Sequence, residues 1–420
     1  MEHVAFVGLG YIGLPTAVVM ANAGLNVTGV DVLPNKVDAI NRGELTLSEP
    51  GLQEELTKAL QSKRFRASTE MPQADVYIIA VPTPFTVNHA VDMRYIRSAA
   101  EAIAPRLSGG ELIVLESTSP PRTTEQMAES IIELRNDLRL HSDAVSGDAE
   151  KAPVIYVAHC PERILPGQAL SELRSNDRII GGMSQEATRR AKDVYRTFCA
   201  GELLETDSTT AEMAKLTENS FRDVNIAFAN ELSIICDELG INVWELINLA
   251  NHHPRVNILQ PGPGVGGHCI AVDPWFIVST APETAKLVRT AREVNDAKPE
   301  WVLKKIAQTL EDAPQGSTVA LMGLTFKPNI DDLRQSPALS IAIEATHAHP
   351  NHRFVVVEPH ITSLPEGFAN VDNVRLAMAD EALKFADIIV LLVNHDEFSD
   401  LDVSSFAPEA IIDTQGTWTS

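Results

Sequence analysis

The chain reads as an α/β protein in which a doubly wound N-terminal domain and a smaller C-terminal α/β domain flank a helical middle. Three observations predict this. Short β-rich apolar runs alternate with amphipathic stretches up to about residue 200. A glycine fingerprint follows the first of those runs. The alternation then stops from Thr209 to about Ala297, and returns after a polar break at Glu311-Asp312-Ala313-Pro314-Gln315-Gly316.

The expected N-terminal strands are Val4–Val7, Val27–Val30, Val76–Val81, Leu112–Leu115, Val154–Ala158 and Arg178–Ile180. Helical patterns between several of them, such as Leu14–Ala23, supply the crossovers that a parallel sheet needs. Good helix formers fill the middle region, and Ala211 through Leu239 is expected as one long helix ended by Gly240. A helix of that length is best stabilised by packing against another surface, such as a second subunit. In the last region Thr318–Met322, Phe354–Val357 and Ile388–Val393 are expected strands, with a helix over Pro337–Thr346. The tract His347-Ala348-His349-Pro350-Asn351-His352 reads as a solvated loop rather than a metal tract, because Pro and Asn favour a turn.

Composition narrows the function. A chain of 420 residues is too long for one hydrophobic core. Its net charge of -23 repels nucleic acid and anionic membrane, so neither is expected as a partner. Local lysines and arginines can still hold a diphosphate in a pocket. No apolar run approaches the length of a membrane span, and no basic and apolar leader precedes Val4, which points to a soluble cytoplasmic protein. Cys160, Cys199, Cys236 and Cys269 are far apart with no C-x-x-C pair, so free thiols are expected and no metal.

Gly8-Leu9-Gly10-Tyr11-Ile12-Gly13 follows a strand and opens a helix, the context a dinucleotide fingerprint requires. Gly8 permits the tight turn, Gly10 lets a pyrophosphate approach, and Gly13 allows close helix–strand packing. Pro15 sits in the first helical turn, where its missing N–H costs little. Asp31 ends the second strand, where a carboxylate accepts both ribose hydroxyls and repels a 2′-phosphate. NAD is therefore favoured over NADP, with Lys36 the one nearby feature on the other side. Val81-Pro82-Thr83-Pro84 and Glu116-Ser117-Thr118-Ser119 end later strands at the same cofactor-facing edge.

The run Gly264-Val265-Gly266-Gly267-His268-Cys269-Ile270-Ala271-Val272-Asp273 sets one cysteine behind a backbone nearly free of side chains, with a carboxylate four residues on. A ligand can approach such a thiol closely, which suits a nucleophile; the run fits a tight turn around a small buried cysteine equally well. Lys215 and Asn219 lie four apart, hence on one helix face, and an ammonium with an amide can stabilise an oxyanion. Alone, that pair also fits a solvated face, and Glu162 also fits a plain loop carboxylate.

Taken together, Gly8-x-Gly10-Tyr11-Ile12-Gly13, Cys160-Pro161-Glu162-Arg163, Lys215 to Leu232, Gly266-Gly267-His268-Cys269, Gly323-Leu324-Thr325-Phe326-Lys327 and Asp331-Asp332-Leu333-Arg334-Gln335-Ser336-Pro337 resemble the UDP-glucose/GDP-mannose dehydrogenase family. The resemblance covers essentially the whole chain. It implies a Rossmann-type NAD domain over 1–205, a central all-helical dimerisation region over 206–300, and a Rossmann-like UDP-sugar-binding domain over 315–420. It implies two successive NAD-dependent oxidations of a sugar-nucleotide primary alcohol to a carboxylate, through a thiohemiacetal and a thioester on Cys269. Lys215 and Asn219 would stabilise oxyanions, Glu162 would help activate the hydrolytic water, Thr118 would help position it, and Asp273 would tune the cysteine environment.

By the same resemblance Tyr11, Ile12, Thr83, Thr118 and Arg334 would contact the cofactor. Arg163, Gly266, His268 and Lys327 would contact the substrate, and Arg255 would reach a neighbouring subunit's substrate site in a homodimer. Glucose-type members carry lysine where Val272 stands here. The segment from Pro254 to Cys269 is similar to the branch acting on N-acetylated sugars, so a UDP-amino-sugar is expected, UDP-N-acetylmannosamine first, with UDP-N-acetylglucosamine and UDP-glucose as alternatives. A one-step hydroxyacid dehydrogenase of the 6-phosphogluconate type, or a non-catalytic NAD-sensing protein, are the other readings.

Overall fold

The computed structural model describes residues 2–45, 47, 49–86, 90–142, 152–165, 167–267 and 269–418. It divides into two compact units, Met1–Thr217 and Glu218–Ser420. In the first, nine strands form one sheet among the described residues. They are β1 (His3–Val7), β2 (Asn26–Val30), β3 (Phe65–Ser68), β4 (Val76–Ile79), β5 (Leu112–Leu115), β6 (Arg139–Leu140), β7 (Val154–His159), β8 (Arg178–Gly182) and β9 (Leu203–Asp207). Their order is β3-β2-β1-β4-β5-β7-β8-β9, with β6 beside β7. The inner strands are buried on both faces, one face under Leu14, Val18 and Tyr195, the other under Ile96, Ile103 and Ile131. This is why they read as continuous apolar runs.

Two expectations are corrected here. The sheet is not wholly parallel, because β7 and β8 pair antiparallel, with Ala158 opposite Gly182 and His159 opposite Gly181. Continued by three residues, that register sets Arg178 opposite Glu162, so the reversal delivers a cation to the Glu162 carboxylate. The sequence reading also omits β3 and β9. Both are sheet edges and both carry exposed polar side chains, which dilutes the apolar signal.

The second unit holds most of the long helix Ser208–Leu239, then the helices Val243–Asn251, Asp273–Thr280 and Lys286–Glu311. Five parallel strands follow among the described residues: β10 (Thr318–Met322), β11 (Arg353–Val357), β12 (Val374–Leu376), β13 (Ile388–Leu391) and β14 (Ile411–Asp413), in the order β12-β11-β10-β13-β14. The edges β12 and β14 again escape the sequence reading. Val302, Ile306 and Leu310 on the helix Lys286–Glu311 join Val319, Leu321 and Ile341 in one core. Pro337 and the Ser336 side chain, which accepts the Leu339 N–H, start the helix Pro337–Ala348. That helix runs two residues past the expected Thr346, so His347 lies in its last turn, where Nδ1 meets the Ile343 carbonyl oxygen at 2.8 Å, rather than in a loop.

A buried polar chain fixes the second unit's interior. Arg292, fully buried, donates to Asp223 Oδ1 at 2.5 Å and also pairs with Asp296. Asn295 Nδ2 donates to the same Asp223 oxygen at 2.8 Å, and Asn230 Nδ2 donates to Asn295 Oδ1 at 2.8 Å. Asn230 Oδ1 then accepts the Gly262 N–H at 2.9 Å. The helices Ser208–Leu239 and Lys286–Glu311 are thereby tied to the loop that leads to Cys269.

Replacing Arg292→Ala strands the buried Asp223 carboxylate and should cost about 3–5 kcal/mol of stability. A calorimetric melt should show a clear fall in the transition of this unit; an unchanged transition would mean the ion pair is not what secures it.

Candidate active site

In the first unit the glycine turn takes its shape from close contacts. Gly8 sits at φ +97°, and a Cβ there would lie 2.3 Å from the Ala80 carbonyl oxygen. A Cβ on Gly13 would lie 1.9 Å from the Gly8 oxygen, whereas one on Gly10 would meet nothing within 4 Å. Gly8 and Gly13 are thus closed by the protein's own backbone, and Gly10 stands open. Asp31 Oδ2 accepts the Leu9 N–H at 3.1 Å and the Lys36 ammonium at 2.9 Å, and Oδ1 accepts the Leu33 N–H at 3.1 Å. Burial pushes its carboxyl up, but Lys36 and the two N–H groups outweigh this and hold it below the usual range.

Leu9, Gly10, Tyr11, Leu33, Pro34, Asn35, Lys36 and Leu47 line a cavity of about 580 Å³ at this turn. The open approach at Gly10 and the oriented Asp31 beside that cavity fit a dinucleotide. Tyr11 donates its hydroxyl proton to Glu49 at 2.5 Å, and Glu49 also accepts the Gly167 and Ala169 N–H groups, so Tyr11 ties the turn to the segment beyond Glu162. Ile12 is partly exposed. Thr83 Oγ1 donates to the Thr118 carbonyl oxygen at 2.7 Å, joining the ends of β4 and β5.

Glu162 is 6% exposed. Its Oε2 accepts Arg178 Nη2 at 2.7 Å and its Oε1 accepts the Arg163 N–H at 2.6 Å. Arg163 itself points its guanidinium at the Asp177 carbonyl oxygen, 3.2 Å away. Lys215 and Asn219 lie one turn apart on the helix Ser208–Leu239, each half-buried.

In the second unit Cys269 is exposed, and the other three cysteines are buried. None of the four is in a disulfide, and the alternative of a buried cysteine in a turn fails for Cys269. Its carbonyl oxygen accepts the Asp273 N–H at 2.9 Å as the helix Asp273–Thr280 begins. The Asp273 side chain, 4% exposed, accepts Asn219 Nδ2 at 2.5 Å. Asp273 therefore fixes the Asn219 amide, leaving that amide a second N–H by its chemistry. Val272 is buried. His268 lies outside the described residues.

Gly266 is held by close packing, since a Cβ there would lie 2.6 Å from the Gln335 oxygen and 3.0 Å from Phe326 Cβ. Around it a cavity of about 390 Å³ is lined by Arg222, Gln260, Gly264, Gly266, Phe326 and Lys327 among others. Two cations on one cavity of an acidic chain suit a diphosphate. Arg222 is missing from the sequence reading; its signal is its place three residues after Asn219 on one helix. Arg334 is instead exposed and pairs with Asp332 at 2.6 Å, and Arg255 is exposed.

Glu358, His360 and His395 offer ligand atoms within 4.8 Å of one another. The Asn329 N–H donates to His395 Nδ1 at 3.0 Å, which leaves Nε2 protonated to donate to Glu358 Oε2 at 3.1 Å. Hydrogen bonds therefore occupy both His395 nitrogens.

Three family models match the chain: the NAD binding domain of the UDP-glucose/GDP-mannose dehydrogenase family over residues 2–199, its central domain over 209–297, and its UDP binding domain over 320–420. The chain is 53% identical to the NDP-N-acetyl-D-galactosaminuronic acid dehydrogenase of Ralstonia nicotianae, over 99% of this chain and 96% of that one. It is 51% identical to the UDP-N-acetyl-D-mannosamine dehydrogenase of Escherichia coli, over 99% of each. A solved UDP-N-acetyl-mannosamine dehydrogenase from S. aureus superposes with a TM-score of 0.84 at 42% identity, covering 100% of this chain and 96% of that one. With all three domain models matched in order, the chain belongs to the UDP-glucose/GDP-mannose dehydrogenase family of NAD-dependent UDP-sugar dehydrogenases.

Proposed function

We propose that the protein oxidises the C6 alcohol of UDP-N-acetyl-D-mannosamine to the uronate, with Cys269 carrying the sugar through the second oxidation. The carrying observation is that Cys269 is the exposed thiol of the four, on a loop anchored through Gly262 and followed by the Asp273–Asn219 pair. The E. coli and S. aureus relatives named for this substrate support the choice of sugar, and the Ralstonia relative makes the galacto epimer the main rival. The division into 1–205, 206–300 and 315–420 belongs to the same reading.

NAD⁺, held at Gly8, Gly10, Gly13 and Asp31, supplies the hydride acceptor twice per turnover. Lys215 and Asn219 donate hydrogen bonds to the reacting oxygen, first as the alcohol loses its proton and again when sulfur adds to the aldehyde. Cys269 forms the S–C bond because a tetrahedral thiohemiacetal gives up hydride readily and a free aldehyde does not. In the last step Glu162 takes a proton from water while the hydroxyl oxygen bonds to the thioester carbon. The C–S electron pair then returns to Cys269, freeing the acid. Thr118 helps position that water, and Thr83 holds the Thr118 backbone. Arg222 and Lys327 receive the diphosphate, and four cysteines outside any disulfide suit a reducing, cytoplasmic compartment.

The active assembly on this reading is a homodimer. Phe221, Phe228, Ile235 and Leu239 follow one another at seven and four residues along the helix Ser208–Leu239 and are 71%, 52%, 42% and 66% exposed. Such a stripe is the kind of apolar seam that a second copy of the same helix buries. Arg255 is the residue that would then serve the neighbouring subunit's substrate.

NADH formed per sugar consumed tests the chemistry, with UDP-N-acetylmannosamine, UDP-N-acetylgalactosamine, UDP-N-acetylglucosamine and UDP-glucose assayed in parallel. Two NADH with the first sugar is expected, and Cys269→Ser should make little acid; normal acid production by that variant would sink the covalent scheme. Arg222→Ala should raise KM for the nucleotide sugar roughly tenfold or more with KM for NAD⁺ unchanged. Phe228→Glu should halve the mass seen by sedimentation, and a wild-type mass for that variant would place the interface elsewhere.

A further inference from the structure

Glu162 stands in a sealed cluster of the first unit whose other members the mechanism above does not use. Arg178, 3% exposed, donates from Nη2 to Glu162 at 2.7 Å, and its Nη1 lies 4.0 Å from Glu116 Oε1. Glu116, 2% exposed at the end of β5, accepts the Tyr195 hydroxyl at 2.5 Å. Glu116 Oε2 and Arg178 Nε are buried with no hydrogen-bond partner. The Tyr195 and Phe198 rings cover the guanidinium, with its carbon 5.2 and 5.4 Å from their centroids.

The groups facing Glu116 are Arg178 from β8, Glu162 and Cys160 from the segment after β7, and Tyr195 from the helix Gln185–Arg196. Burial pushes the Cys160 thiol up to about 12 and the Tyr195 hydroxyl well above its usual value, so both stay neutral. The charge balance is left to two carboxylates and one guanidinium. Burial drives the Glu116 carboxyl upward; Arg178 opposes this, and Glu162 adds to it.

A carboxylate held by a guanidinium and a backbone N–H, as Glu162 is by Arg178 and the Arg163 N–H, is a weak base, because its charge is already spent on those donors. The reversed β8 places Arg178 against Glu162 at full contact, so some second anion is needed if Glu162 is to accept a proton. Resting on the water-activating role proposed for Glu162, we infer that Glu116 is a positioning residue for thioester hydrolysis, sharing the Arg178 charge so that the Glu162 carboxylate can accept the proton of water. When water gives its proton to Glu162, Arg178 is balanced by Glu116, and the cluster passes from a net charge of −1 to neutral.

The test is the pH profile of hydrolysis, followed as decay of the acyl-enzyme after rapid mixing of the whole enzyme with NAD⁺ and the C6 aldehyde of the nucleotide sugar. Glu116→Gln keeps an oxygen acceptor for Tyr195, removes the charge and turns the other oxygen into an N–H donor. It should move the acid limb down by about one pH unit and lower the plateau by roughly threefold or more, with both KM values unchanged. Arg178→Lys, with a looser hold on Glu162, should move the limb the other way. A fall equal at every pH, or a profile superposable on wild type, in Glu116→Gln would overturn the inference. Glu162→Gln separates the two readings. If it hydrolyses the thioester normally, the water-activating role itself fails; if it accumulates acyl-enzyme while Glu116→Gln matches wild type, only the part assigned to Glu116 fails.

Discussion

The candidate active site depends first on the buried polar chain from Arg292 through Asp223, Asn295 and Asn230 to the Gly262 N–H. A glycine- and proline-rich loop has little side-chain surface with which to anchor itself, so its position must come from backbone contacts. Asn230 supplies one at Gly262, and the tight fit of Gly266 against Gln335 and Phe326 supplies others. Removing a Cβ from these positions therefore does two things. It lets the loop come down onto Phe326 and Pro337, and it leaves Cys269 uncovered. The cost is a fully buried arginine, which only a complete set of partners makes tolerable.

The two nucleotide-type folds use the same topological position in opposite ways. In each, an acid follows the second strand and accepts an N–H from the turn after the first: Asp31 from Leu9, and Glu358 from Leu324. Asp31 is bonded to Leu9 and Lys36, both of which line an open cavity. The Glu358 side chain is fully buried and spent on Leu324, Thr325 and His395, so it braces its turn and is closed to a ribose. Arg222 and Lys327 instead line a cavity of the second unit. The longer glutamate folding back, where an aspartate would reach outward, is the physical difference between the two.

In the first unit the one antiparallel pair of the sheet among the described residues decides the electrostatics. Had β8 continued parallel to β7, Arg178 would have entered at the opposite end of the sheet from Glu162. The reversal returns the chain to the edge it left, and a guanidinium, two carboxylates and a phenol meet where solvent is excluded. Such a cluster costs desolvation energy that a purely structural sheet edge would not need to meet, and Glu116 Oε2 and Arg178 Nε lie buried in it without a hydrogen-bond partner.

The sequence by itself determined the fold class and singled out the candidate cofactor turn and the candidate thiol. These are local: Gly8, Gly10 and Gly13 act within one strand–turn–helix, Asp31 lies at the end of the next strand, and Cys269 sits in its own glycine run. The inner strands were legible because burial on both faces makes them uniformly apolar, while the edge strands β3, β9, β12 and β14 were not, because one side of each faces water. What only the tertiary structure decided is partnership across long separations: Asp273 with Asn219, Arg178 with Glu162 and Glu116, and Arg222 with Lys327. A charged residue's sequence neighbourhood states its charge. Which opposite charge it meets, and whether water is excluded from the meeting, depends on strand direction and register, which no short window of residues carries.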